Sequence, residues 1–193
     1  MASLNPQSGP VYIDFDEYLL RSLTPEDIDE RVLSWLSDTD MLSGLNISSF
    51  GFDLKRFKDF IAAFNNKTHY FIGIFLKKEE LLIGFYTIDV SFPHMVAYLT
   101  MGIGDKEFEG KFIAQKTINA LLDYFFKYRK IHKFTARVLD KNYRMIFNLR
   151  KAQRFKLEAI LEEECITPSG GRSDILVFSA FCNRKNHLSN PTG

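Results

Sequence analysis

Residues 94–128, HMVAYLTMGIGDKEFEGKFIAQKTINALLDYFFKY, are the most informative part of the chain for both fold and function. It begins with an apolar run, Met95 to Ile103, that predicts a β-strand. After a short polar loop, Asp105 to Gly110, apolar residues recur at spacings of three and four, which predicts the buried face of a long helix. That face comprises Ile113, Thr117, Ala120, Leu121, Tyr124, Phe125 and Tyr128.

The start of this helix is a candidate phosphate site, because a helix N-terminus presents unpaired N–H groups and the positive end of the helix dipole. Gly110 would let the backbone approach a ligand without an intervening Cβ. Two common phosphate loops are excluded. A Walker loop requires a glycine where Asp105 stands and a serine or threonine where Phe112 stands. A dinucleotide fingerprint requires a glycine in place of Glu107.

Length and composition indicate one globular domain. The chain has 193 residues, of which 46% are hydrophobic, so it is long enough for a sizeable core and too short for two ordinary domains. The formal net charge of +1 gives no reason to expect a nucleic-acid or membrane partner. We expect a flexible arm at residues 1–10, the domain at 11–182 and a polar tail at 183–193.

The two cysteines, Cys165 and Cys182, have no CxxC or HExxH companions, which favours free thiols in a reducing compartment and no metal site. The first ten residues lack the apolar core of a signal peptide, and no run is long enough to span a bilayer. The expected location is the cytoplasm.

The first third of the chain predicts short strands followed by helices. Residues 11–15 and 18–23 are two strands or one strand with a break. Thr24 and Pro25 open a helix, as N-cap and first helical residue, that we expect to run to Ser37. Residues 41–52 form an irregular linker, and a second helix spans residues 53–65.

The rest of the chain predicts hairpins around the opening stretch. Residues 69–76 and 81–90 form a hairpin with a charged turn. A strand at 134–139 follows the long helix. A terminal hairpin joins residues 156–166 to residues 174–181.

Two motifs in this order resemble the GNAT superfamily of acyl-CoA-dependent N-acyltransferases. The run Glu109-Gly110-Lys111-Phe112-Ile113-Ala114 is similar to the family's Arg-Gly-Lys-Gly-Tyr-Ala loop. In the run ARVLDKNYRMIFNLRKAQRFKLEAILEEE, residues 136–164, the positions that match the family's second pattern are Asn142, Lys151, Phe155 and Glu158. The order of elements resembles the branch that acetylates ribosomal-protein N-termini and small amines.

The resemblance implies a mixed α+β, GNAT-like fold: a mostly antiparallel sheet of six or seven strands with helices on both faces. The strands ending near Ile103 and starting near Phe134 would be parallel neighbours joined by the long helix as a right-handed crossover. In the family these two strands splay apart and admit the thioester. We therefore expect an interruption of pairing near Met101 to Gly104.

The resemblance also implies a site for acetyl-CoA as co-substrate, without a metal. Its pyrophosphate would lie on the backbone of the loop, its pantetheine arm would lie along the preceding strand, and the start of the next helix would border the site. The residues implied are Met101, Gly102, Ile103, Glu109, Gly110, Lys111, Phe112, Ile113, Ala114 and Asn142. We expect ordinary helical backbone at Phe112, so that its ring points away from the phosphates.

The implied reaction is acetyl transfer to a primary amine, on a small molecule or a protein N-terminus, by direct attack in a ternary complex. The strand end at Gly102-Ile103 would supply one backbone N–H donor to the oxyanion. The sequence does not identify a catalytic acid or base. The candidates by location are Asp89, His94, Tyr98 and Tyr143, each of which also fits a structural role. No nucleic-acid or membrane partner is expected, and a homodimer is left open.

A second function fits the same sequence. Three residues depart from the family at motif positions: Phe112 and Arg154 replace glycines, and Met145 replaces a serine. These departures favour a GNAT-shaped sensor or interaction module with weak or no coenzyme A binding. Measuring coenzyme A binding distinguishes the two hypotheses.

Overall fold

The computed structural model describes residues 8–49, 51–168 and 170–182. Most of the predicted N-terminal arm and all of the predicted C-terminal tail lie outside the described residues.

A single mostly antiparallel sheet forms the centre of the fold, which confirms the mixed α+β prediction. Its order is β1-β2-β3-β4-β5-β6-β8-β7, and only β5 and β6 run parallel. Eight strands replace the predicted six or seven among the described residues, because a turn at Asp16 (φ 42°) separates the first two. The strands are β1 Tyr12–Phe15, β2 Tyr18–Ser22, β3 His69–Leu76, β4 Leu81–Ser91, β5 Val96–Ile103, β6 Lys133–Leu139, β7 Lys156–Ile166 and β8 Arg172–Phe181.

Five α-helices cover the sheet within the described residues. They are α1 Glu30–Ser34, α2 Thr39–Leu45, α3 Leu54–Ala62, α4 Ile113–Tyr128 and α5 Tyr143–Lys151. Helix α4 connects β5 to β6, so the predicted crossover between parallel neighbours is confirmed.

The predicted continuous helix over residues 24–37 is wrong. The segment forms two short 3-10 turns on either side of α1. Ile28 leaves the helical region (φ −98°, ψ 112°) and is buried in the core, which ends the first turn. Asp29 then starts α1 by accepting a hydrogen bond from the Val32 N–H.

The predicted irregular linker over residues 41–52 is also partly wrong, because it contains most of α2. The Asp38 carboxylate caps this helix by accepting from the Met41 N–H at 2.9 Å. Asn46 ends the helix in the left-handed conformation, with φ 56°.

The two faces of the sheet bury separate hydrophobic clusters. Helix α4 packs on one face, and its buried face is wider than predicted: Ile113, Thr117, Leu121 and Phe125 are buried as expected. Ala114, Ile118, Leu122 and Phe126 are buried, whereas the predicted Tyr128 is exposed. On the other face, α1 and α3 pack around Trp35, Phe57, Phe71 and Phe85.

Candidate active site

A wedge-shaped gap opens between β5 and β6. Residues Val96–Tyr98 of β5 pair with residues Lys133–Thr135 of β6, and the pairing between the two strands ends there. Beyond this point β5 stays paired with β4 as far as Ile103, and β6 stays paired with β8 as far as Leu139, so the two strands separate. The interruption therefore begins at Leu99, earlier than the predicted Met101. The β6-facing edge of residues 99–103 has no strand partner in the described part of the chain.

The gap continues as a cleft beneath α4 and α5. It is lined by backbone and side chains from both separated strands, from both helices and from α2. The lining residues are Gly44, Leu99, Thr100, Met101, Ala114, Ile118, Ala136, Arg137, Val138, Asn142, Met145, Asn148 and Leu149. The predicted residues Met101, Ala114 and Asn142 thus come together around one cleft.

The loop before α4 presents free backbone donors. Within the described residues, the N–H groups of Gly110, Phe112, Ile113 and Ala114 have no hydrogen-bond acceptor. The N–H of Lys111 is less available, because it donates to the Phe108 carbonyl at 3.4 Å. Free donors at the N-terminus of a sixteen-residue helix suit an anion such as a pyrophosphate.

Gly110 shapes this loop through its backbone conformation. Its φ is +73°, a value that glycine adopts without the steric cost that other residues incur. No atom of the described residues other than its chain neighbours lies within 4 Å of the place where a Cβ would stand. The space beside Gly110 is therefore open to a ligand.

The negative charge of Glu109 is neutralised within the site. Its carboxylate accepts from the Arg144 guanidinium on α5 at 2.7 Å. The ion pair joins the loop to α5 and cancels the charge of Glu109 close to the cation of Lys111. An acidic residue at this position is therefore compatible with binding a phosphate.

Phe112 does not adopt the helical backbone that we expected. It is the N-cap of α4 in the left-handed conformation, with φ 58° and ψ 24°. Its ring is 54% exposed and lies 6.5 Å from the Phe147 ring on α5. The ring thus packs towards α5, while the N–H of Phe112 stays free. A non-glycine residue in this conformation costs roughly 1–2 kcal/mol.

Phe112→Gly is expected to raise the free energy of unfolding by about 1 kcal/mol, because glycine removes the left-handed strain and loses only an exposed ring contact. Acetyl-CoA affinity should change less than about tenfold, because the backbone donor remains. Chemical denaturation and calorimetry measure the two quantities. Phe112→Ala, which removes the ring and keeps the strain, is the control. A gain in affinity beyond about tenfold in both variants would show instead that the ring obstructs the site.

Asn142 stands where the gap meets α5. Its Oδ1 accepts from the Met145 N–H at 3.0 Å and so caps α5. Its Nδ2 donates to the Gly44 carbonyl on α2 at 3.2 Å. Both ends of the amide are therefore used, and α5 is joined to α2.

The four candidate proton-transfer residues do not form one group. His94 lies in the β4–β5 turn, and Tyr143 is 75% exposed on α5. Asp89 and Tyr98 are cross-strand partners at the closed end of the gap, on the sheet face opposite α4. Sequence reasoning did not single out His69, whose Nδ1 lies 2.6 Å from the Asp89 carboxylate. Because a carboxylate only accepts, Nδ1 carries the proton and donates it.

Tyr86 is excluded as an acid. It lies in the core beside the cleft, and its hydroxyl is 2.6 Å from the Thr117 hydroxyl. Thr117 itself donates to the Ile113 carbonyl, so the Tyr86 hydroxyl is the donor of this pair. Burial raises the pKa of Tyr86 far above its usual value, against a smaller lowering by the Thr117 hydrogen bond. The phenol is therefore a fixed structural group.

Two other kinds of site have no candidate among the described residues. Across the described ranges, no helix is both long and apolar enough to cross a membrane. The same residues contain no group of three or more His, Cys, Asp or Glu side chains arranged to hold a metal ion.

Comparison with a protein-family model and with solved structures agrees with this geometry. The family model described as "Acetyltransferase (GNAT) domain" matches residues 18–152. No curated protein sequence matches the chain significantly.

Three solved structures illustrate the structural similarity. The ribosomal-protein-S5-alanine acetyltransferase of Vibrio fischeri is 17% identical with a TM-score of 0.76, and the match covers 90% of this chain and 98% of that one. Spermidine N-acetyltransferase of Vibrio cholerae, solved with CoA and spermine, is 20% identical with a TM-score of 0.75, covering 86% and 95%. The microcin C7 self-immunity acetyltransferase MccE, solved with acetyl-CoA and AMP, is 19% identical with a TM-score of 0.75, covering 86% and 93%.

Proposed function

Because the chain belongs to the GNAT family of acetyltransferases, we propose that it transfers the acetyl group of acetyl-CoA to a primary amine, on a small molecule or a protein N-terminus. The observation that carries this proposal is the gap between β5 and β6, which leads directly to the free donors before α4. Ala114, which carries one of these donors, also lines the cleft, so the donors and the cleft are adjacent, as a long substrate with a phosphate end requires.

The free backbone groups support a place for each part of acetyl-CoA in the proposed site. The pyrophosphate accepts hydrogen bonds from the backbone N–H groups of Gly110, Phe112, Ile113 and Ala114. The N–H of Lys111, which was among the expected donors, is left out because it already donates within the loop. The pantetheine arm lies along the unpaired edge of residues 101–103 and extends that half of the sheet. The thioester then points to the closed end of the gap, next to Tyr98.

The transfer needs positioning more than it needs a strong acid. The neutral amine nitrogen attacks the acetyl carbon, the C–S bond breaks, the nitrogen loses a proton and the thiolate leaves. Holding two substrates in one cleft lowers such a barrier by roughly 7–11 kcal/mol. The polar face with Asp89 and Tyr98 is where the amine proton would leave.

A panel of amines tests the proposal. Spermidine and a peptide with an N-terminal alanine represent the two acceptor classes, because structurally similar enzymes act on spermidine and on the alanine of ribosomal protein S5. With acetyl-CoA in excess, release of free thiol is measured by a chromogenic disulfide. We expect thiol release above hydrolysis with at least one class and an acetylated product by mass spectrometry.

A second candidate function is a sensor or interaction module. Met145 favours it, because its partly buried side chain packs against the core where the family has a serine hydroxyl. Calorimetry with coenzyme A separates the candidates. Binding without acetylation of any amine favours a coenzyme A sensor, and absence of binding favours an interaction module.

We place the reaction in the cytoplasm. Cys165 and Cys182 are both free and partly buried, as is usual for proteins of a reducing compartment.

A further inference from the structure

Helix α2 lies across the open end of the gap, on the sheet face opposite α4. A Cβ built on Gly102 would lie 3.5 Å from the Met41 methyl group, so the start of α2 packs on the end of β5. Farther along α2, the Gly44 carbonyl accepts a hydrogen bond from the side chain of Asn142, the residue directly before α5. The helix therefore connects the two sides of the gap where they are farthest apart.

The approach of α2 to Asn142 is close and depends on glycine. A Cβ on Gly44 would stand 3.1 Å from the Asn142 Nδ2. Glycine inside a helix is less favourable than alanine by roughly 1 kcal/mol, so its presence in α2 requires a reason. The close contact with Asn142 supplies that reason.

A second contact holds the end of α2 to the same half of the sheet. Asn46, in the left-handed conformation that ends α2, donates through Nδ2 to the Ile166 carbonyl of β7 at 3.1 Å. The C-terminal half of α2 is thus attached to both α5 and β7.

The rest of this face beside the gap is open and polar. Tyr98 is 51% exposed and Thr100 is exposed, and both point away from α4, since the alternate residues Leu99 and Met101 face it. With α2 across the wide end, an acceptor on this face reaches the thioester from the side of Tyr98 and Thr100.

We infer that Asn142 is a positioning residue for the acceptor: its amide holds α2 across the open end of the gap and so defines the acceptor entrance. This inference rests on the proposed acetyl transfer. Loss of the Asn142–Gly44 hydrogen bond should weaken use of the acceptor more than it weakens binding of acetyl-CoA.

Asn142→Asp tests one end of the bond. Aspartate caps a helix as well as asparagine does, so α5 keeps its cap, but a carboxylate cannot donate to the Gly44 carbonyl. We expect faster hydrogen exchange in residues 39–45 and an acceptor KM raised about fivefold, the effect of one lost hydrogen bond. The acetyl-CoA Kd, measured by calorimetry, should rise by a smaller factor than the acceptor KM.

Gly44→Ala tests the other end without altering α5. Alanine favours the helix, yet its Cβ would stand 3.1 Å from the Asn142 Nδ2 and press on the amide, so a smaller rise in exchange and in acceptor KM is expected. The double variant should show no more than the larger single effect, because both changes remove the same contact. Ser43→Ala, at an exposed neighbouring position of α2, is the control and should leave all three quantities unchanged.

Spermidine and the N-terminal alanine peptide are the acceptor probes. Unchanged exchange in α2, or an acetyl-CoA Kd that rises as much as the acceptor KM, would overturn the inference. Faster exchange with an unchanged acceptor KM would overturn it as well. If neither probe is acetylated, the proposed function fails, and exchange in the free protein alone decides whether Asn142 holds α2.

Discussion

Gly110→Trp is expected to weaken acetyl-CoA binding more than about 100-fold, which corresponds to roughly 2.7 kcal/mol. The large side chain would occupy the open space beside the free N–H groups before α4 and block the approach of a pyrophosphate. The φ of +73° also makes any side chain strained, so the free energy of unfolding should fall by roughly 1–2 kcal/mol.

Two variants separate the loss of binding from the strain. Gly110→Ala keeps the strain without the bulk and should retain most of the affinity. Gly51→Trp places the same side chain at another left-handed glycine, with φ +60° and open space, away from the cleft. It should lose stability and keep full affinity. Calorimetry on all three variants decides the question, and normal binding by Gly110→Trp would show that the phosphates bind elsewhere.

The sequence predicted the strand, loop and helix of the candidate site well, because the signals for these elements are local. The strand ending at Ile103, the polar loop and the periodicity of α4 all lie within one stretch. A helix that follows a strand so closely must return along the sheet, which made β6 the parallel neighbour of β5. The free donors before α4 follow from the same local order.

The errors arise where distant residues decide the conformation. No local pattern shows that Phe112 is left-handed, and its ring is accommodated by Phe147 on another helix. The ion pair of Glu109 with Arg144 joins two segments that the sequence does not place together. The buried, extended Ile28 divides a segment whose capping residues alone favour a continuous helix.

Strand register explains why His69 was missed. The charged turn fixes the β3–β4 hairpin, and without an irregularity His69 would lie opposite Ile88. A bulge between Ile74 and Phe75 shifts the register by one residue and places His69 opposite Asp89. Since a shift of one residue also exchanges the faces of a strand, the polar pair beside Tyr98 depends on this bulge.

Trp35→Ala is expected to lower the free energy of unfolding by about 3–5 kcal/mol, as for other buried tryptophans. Trp35 follows α1 and is buried with its ring directly over Gly104, the first residue after β5. The salt bridge of Arg31 to Asp105, at 3.4 Å, joins the same two segments. The ring therefore helps to hold the end of β5 and the start of the phosphate loop, and acetyl-CoA affinity should fall together with stability.

Gly104→Ala tests this packing from the opposite side. A Cβ at this position would overlap the Trp35 ring, so the variant should lose about 1–3 kcal/mol through overpacking. Gly171→Ala is the control, because the nearest side-chain atom would be 3.9 Å away, and it should change stability by less than about 0.5 kcal/mol.

In the Trp35→Ala background the ring is absent, and Gly104→Ala should then cost little. Chemical denaturation of the wild type, the two single variants and the double variant gives the coupling energy between the two residues, which we expect to be about 1–3 kcal/mol. Additive losses would mean that the cost at Gly104 comes from the backbone and that Trp35 does not determine the position of the loop.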